Sequence, residues 1–173
     1  MASTQSSKML ARHAEQLKAI HGKKLDAGWL ESAISAEGIK MAQIAMWNEY
    51  GHTTRFKKGN MFAEAIFVTP ARPFMRLAAD NARKQIYAVT AKIAGKIVDG
   101  QITAEQGLNL IGEFFVGEIV MSIKSGNWLP NSDITVHGTP PGKDGTQFIE
   151  GKGFNRPLIN TAAMWQSASY KVY

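Results

Sequence analysis

Few residues in this chain are able to do chemistry, and their spacing argues against most of it. There are four histidines and no cysteine. His13 and His21 fall on similar sides of one helical stretch but two turns apart, too far to share a metal ion. His52 and His137 have no second ligand at metal-binding spacing. Without cysteine there is no thiolate zinc site, disulfide framework or cysteine nucleophile. Gly138-Thr139-Pro140-Pro141-Gly142-Lys143-Asp144 is superficially like a phosphate-binding loop. Its glycine spacing is one residue short, and Asp144 stands where a magnesium-binding hydroxyl is needed. Two prolines also remove amides that would hold phosphate. No Gly-x-Ser-x-Gly elbow and no HExxH helix occurs, and Glu113 reads as the solvated edge of a core helix. The expectation is a non-enzymatic protein with no cofactor and no metal.

One constellation survives. Arg55, Phe56, Lys57 and Lys58 interleave an aromatic ring with three cations. That pattern suits a phosphate backbone, and it equally suits an exposed, solubilising loop tip. The net charge of +6 has the same two readings, attraction to a polyanion or a well-solvated surface, because its cations are spread along the chain.

The elements that would position these residues follow from periodicity. Apolar residues at 45% and charged residues at 20% of 173 indicate an ordinary soluble globular protein, expected to form a single domain over 1–173. No signal-peptide core and no apolar run near the roughly 18 residues of a membrane span is present, so no membrane partner is expected. Lys8 to His21 carries Leu10, Ala14, Leu17 and His21 on one face, a first helix preceded by frayed residues 1–7. Leu25, Ala27 and Trp29 alternate with Asp26 and Gly28, a half-buried strand. Ile39 to Tyr50 is apolar on more than one side and predicts a deeply packed helix. His52 to Asn60 shows neither period and reads as a basic loop or hairpin tip, and Met61 to Val68 as a strand. Pro70 and Pro73 then fix a stiff entry to a long helix from Pro73 to about Val98. Its stripe is Phe74, Ala78, Ala82, Ile86, Val89, Ile93 and Ile97. Thr103 and Gln106 have capping-box spacing, opening a helix to about Lys124 with Leu108, Ile111, Phe115, Ile119 and Ile123 inward. Gly107, Gly112 and Gly117 within it point to a close neighbour, either the long helix or another subunit. Residues 126–155 lose all periodicity and predict an extended loop or arm. Ala168, Tyr170 and Val172 alternate in a last strand.

Four segments together resemble the small neck, or tail-completion, proteins that join tail to head in tailed bacteriophages. They are Ala45 to Gly51, Pro70 to Arg76, Ile123 to Ser132 and Arg156 to Thr161, the last followed by Met164, Ser167 and Tyr170. They stand in the family's order and span residues 45–173. Where the family has glycine after the C-terminal threonine, this chain has Ala162, and its basic Thr53–Asn60 loop and its arm are longer. The resemblance implies an α+β fold, a small, mostly antiparallel sheet packed on a long helix and a helical hairpin, with the arm before the C-terminal strand. It further implies a homo-oligomeric ring at the virion neck or tail top, assembled in the host bacterial cytoplasm. Neighbouring neck, connector and tail proteins would be its partners, with possible contact to DNA in the channel. Arg72, Phe74, Arg76, Trp128, Pro130 and Asn131 are the expected oligomer or partner interface, and Arg55, Lys57 and Lys58 the DNA- or partner-facing loop. The alternative is a basic nucleic-acid-binding module with no permanent assembly.

Overall fold

The computed structural model describes residues 2–55, 66–139, 150–159 and 162–173. In chain order the elements are α1 (Ala2–Ile20), β1 (Leu25–Gly28), α2 (Met41–Tyr50), β2 (His52–Arg55), β3 (Ile66–Thr69), α3 (Phe74–Val98), α4 (Ala104–Ser125), α5 (Asp133–His137), α6 (Ala163–Gln166) and β4 (Ser169–Val172). The fold is α+β, as expected.

α3 and α4 form its frame. The capping box at the start of α4 is reciprocal. Thr103 Oγ1 accepts from the Gln106 amide at 3.2 Å, and the Gln106 side chain accepts from the Thr103 amide at 2.8 Å. The two helices pack as an antiparallel hairpin, with Gly107 of α4 against Ile93 and Ile97 of α3. At the other end of the pair, the Ser122 hydroxyl of α4 donates to the Phe74 carbonyl at 2.6 Å.

The core gathers where this hairpin meets α2 and α6. Met41, Ala45, Phe74, Ala78, Ile119, Ile123 and Met164 are buried together, with Trp29 and Trp128 packed against them. Phe74 is 0% exposed, and Trp29 stands edge-on to its ring at 5.8 Å. The Trp29 indole donates to the Met164 carbonyl at 2.7 Å, which satisfies the polar end of a half-buried aromatic.

The strands make two two-stranded antiparallel sheets. β1 pairs with β4, Leu25 opposite Val172 through Gly28 opposite Ser169, and this ribbon lies against α4. β2 pairs with β3, His52 opposite Thr69 through Arg55 opposite Ile66.

Five expectations need correction. His52–Arg55, read as part of a basic loop or hairpin tip, is strand β2. α1 begins at Ala2, not Lys8, so residues 2–7 continue the helix. The stripe expected to bury α1 points outward, with Leu10 67% and Leu17 65% exposed. Polar side chains hold the helix instead: Arg12 Nη2 donates to the Gly100 carbonyl at 3.1 Å and His13 Nε2 to the Val98 carbonyl at 3.2 Å, while Gln16 Oε1 accepts from the Ala104 amide at 2.7 Å. α2 buries one face only, through Met41, Ala45 and Glu49, and exposes Met46 and Tyr50. Residues 126–155 are not without structure where they are described. They contain α5, and the returning chain hydrogen-bonds it, the Lys152 amide to the Thr135 carbonyl at 3.1 Å and the Gly153 amide to the Val136 carbonyl at 2.9 Å.

Candidate functional site

The chemistry-bearing residues converge on the first turn of α3. Pro73 occupies its N-cap and offers no side-chain acceptor. Glu49, the last residue but one of α2, supplies the missing carboxylate and is only 4% exposed. Its Oε2 accepts from the Met75 amide at 2.8 Å, and its Oε1 from the Arg76 amide at 3.3 Å and from Arg76 Nε at 3.1 Å. A carboxylate here satisfies otherwise orphaned amides and complements the helix dipole.

Arg72 precedes this cap and is also 4% exposed. Its amide donates to the Asn48 carbonyl at 2.7 Å, tying the entry segment to α2. Its guanidinium reaches across to the chain leaving α4: Nε donates to the Leu129 carbonyl at 3.2 Å, and Nη2 to the Pro130 carbonyl and Asn131 Oδ1, each at 3.3 Å. The Asn131 amide in turn donates to Asn155 Oδ1 at 2.9 Å. The segments Ala45 to Gly51, Pro70 to Arg76 and Ile123 to Ser132 thus meet at Arg72, the first through its backbone amide and the last through its guanidinium. Burial lowers the Arg72 pKa, but a guanidinium keeps its proton in proteins, so among the described residues this cation is held by neutral acceptors.

This geometry revises the expected interface. Phe74 is core and Arg72 is buried, so both build the surface from beneath and neither presents it. Trp128 is half-buried, folds over Gly126 and donates Nε1 to the Ile123 carbonyl at 3.3 Å. Arg76, with a side chain 63% exposed, and Pro130 are accessible, and Asn131 is half-buried. Arg55 is exposed on β2, whereas Lys57 and Lys58 lie outside the described residues, as does most of the Gly138–Asp144 stretch.

Two surfaces are left around this point. One is the outward face of the β2–β3 hairpin, where cross-strand pairing sets Thr53 beside Val68 and Arg55 beside Ile66, with Ile66 54% and Val68 70% exposed. The other is a cavity of about 550 Å³ between α2, the hairpin and the α5 region, lined among others by Arg72, Asn131 and Lys152. Lys152 Nζ donates to the Arg156 carbonyl at 2.8 Å and the Ile159 carbonyl at 2.9 Å, which brings the segment from Arg156 to the same place. Burial, and then the charge of Arg72, lower the Lys152 pKa. Among the described residues, Asn131 Nδ2 is buried without a partner.

Sequence reasoning missed Glu49 and Lys152. For Glu49 a signal existed: a lone carboxylate on an otherwise apolar helix, shortly before a helix that opens on proline without a capping side chain.

Among the described residues no group of three or more His, Asp or Glu side chains is placed to hold a metal ion, and no helix is long and apolar enough to cross a membrane. No family model, curated protein or solved structure matches the chain.

Proposed function

We propose that this chain is a non-enzymatic structural subunit of a tailed-phage virion, forming a ring at the neck or tail top that joins tail to head. The observation that carries the proposal is the β2–β3 hairpin. An isolated two-stranded ribbon is marginal in water, and this one turns Ile66 and Val68 outward. Such a ribbon gains its stability by lying against a neighbour, which a ring supplies at every position. The outward Leu10 and Leu17 of α1 support the same reading, since a stripe of this kind is ordinarily covered. The resemblance gains support from Ala162, whose φ of 62° is the left-handed conformation that glycine, the family's residue there, adopts without strain. Arg55 on the hairpin face gives the ring a cation toward acidic neighbouring neck, connector or tail proteins, or toward DNA in the channel.

The test is the mass of the purified protein in solution together with negative-stain images of the protein and of virions. Rings, with the protein present in particles, are expected. A strict monomer that is absent from virions overturns the proposal. If that monomer also binds DNA at low salt and releases it as salt rises, a nucleic-acid-binding module replaces the ring subunit.

A further inference from the structure

We propose that the cavity beside Arg72 is a binding site for a carboxylate carried on an apolar stem. At about 550 Å³ it has the size of a small-ligand pocket. Its walls combine Arg72, Asn131 and Lys152 with Ile44, Leu158 and Ile159, so they match a charged head and a hydrocarbon body together.

Among the described residues, the one buried side-chain atom of this lining without a partner is a donor, Asn131 Nδ2. Arg72 uses Nε and Nη2 on carbonyl and amide oxygens. Asn131 accepts from Arg72 through its oxygen, which leaves Nδ2 buried and, among the described residues, unpartnered. Lys152 spends two of its three protons on carbonyls. Glu37 and Glu150 also line the cavity, but both are exposed, and neither lies within 4 Å of the two cations. Lys152 is half-buried and also stands over the Phe154 ring at 4.7 Å. Among the described residues neither it nor buried Arg72 has a carboxylate partner, so an incoming anion offsets the cost of holding the two cations together. Burial of Arg72 keeps it from a duplex phosphate backbone, while a carboxylate reaches it as the narrow end of a side chain or small acid. The proposal stands apart from the ring, because the site is built within one chain.

The experiment is thermal unfolding of the full chain in sodium hexanoate, in hexanamide and in sodium chloride at matched ionic strength. Hexanoate at ten times its Kd is expected to raise Tm by about 3–6 °C, and the neutral amide not to. Lys152→Met flattens the response. Asn131→Asp, which places a carboxylate beside Arg72 permanently, raises Tm by itself and abolishes the response to hexanoate. No rise, an equal rise with hexanamide, or a full response in Asn131→Asp overturns the proposal. An N-acetylated, C-amidated Ala-Leu-Glu-Leu-Ala peptide identifies the source of the carboxylate. Tighter binding than hexanoate assigns the site to an acidic residue of a neighbouring protein, and binding of hexanoate alone assigns it to a free small acid.

Discussion

Pro73 sets the backbone angle that opens α3 but brings no acceptor for the amides behind it, so Glu49 has to reach over from another helix. Glu49→Ala removes two backbone caps and the partner of Arg76 at once, leaving buried donors unsatisfied. It is expected to cost about 2–3 kcal/mol in urea unfolding. Most of that comes from the caps, because the Arg76 side chain is largely in solvent and its ion pair is screened. Ala162 is the opposite case, a residue whose backbone works against it. A left-handed angle strains any residue with a Cβ, and glycine gives back part of the gain through its freer unfolded chain. Ala162→Gly should therefore raise stability by about 0.5–1 kcal/mol, read from the same unfolding curves. Sequence pattern could not assign Glu49 its role. The amides it caps are 26 and 27 residues away, and nothing local to α2 separates a buried carboxylate from a solvated one.

At the scale of elements, the glycines of α4 sort by what faces them. A Cβ on Gly112 would run into the Tyr170 ring of β4, whereas one on Gly117 meets nothing within 4 Å. Gly112→Ala should lower Tm through overpacking worth about 1–3 kcal/mol, and Gly117→Ala should raise it through helix propensity worth about 1 kcal/mol. The same logic explains which elements were legible. α3, α4 and the β1–β4 strands were readable because their apolar periods coincide with what they bury, and the capping box is a purely local signal. α1 was legible as a helix but not in its orientation: it docks through Arg12, His13 and Gln16, and its apolar stripe faces away. β2 was missed because His52-Thr53-Thr54-Arg55 has no buried face to impose alternation. α5 was missed because five residues are too few to show a helical period. Of the candidate site, Arg72 and Phe74 were found through the proline entry they share. The burial of Phe74 followed from its place at the head of the apolar stripe. That of Arg72 did not, since it depends on residues near 130 folding back across more than fifty positions.

At the scale of the molecule, the surface is divided between parts finished by the chain itself and parts left open. Val68 belongs to the open parts, at 70% exposure on the hairpin's outer face. Val68→Lys should leave the unfolding free energy within about 0.5 kcal/mol of the parent, as surface changes do. If the hairpin lies between subunits, the same change should weaken association at least tenfold in sedimentation, a loss of about 1.4 kcal/mol. Equal association by both proteins would place the contact elsewhere. The β1–β4 ribbon carries a different consequence, one of timing. Its pairs join residues near 25 to residues near 172, and Trp29 finds its acceptor at Met164. At about 5–20 residues per second, a ribosome leaves β1 without its partner for about 7–30 s after making it. The N-terminal third therefore waits, with β1 unpaired and the Trp29 indole without its carbonyl acceptor, until the last strand emerges.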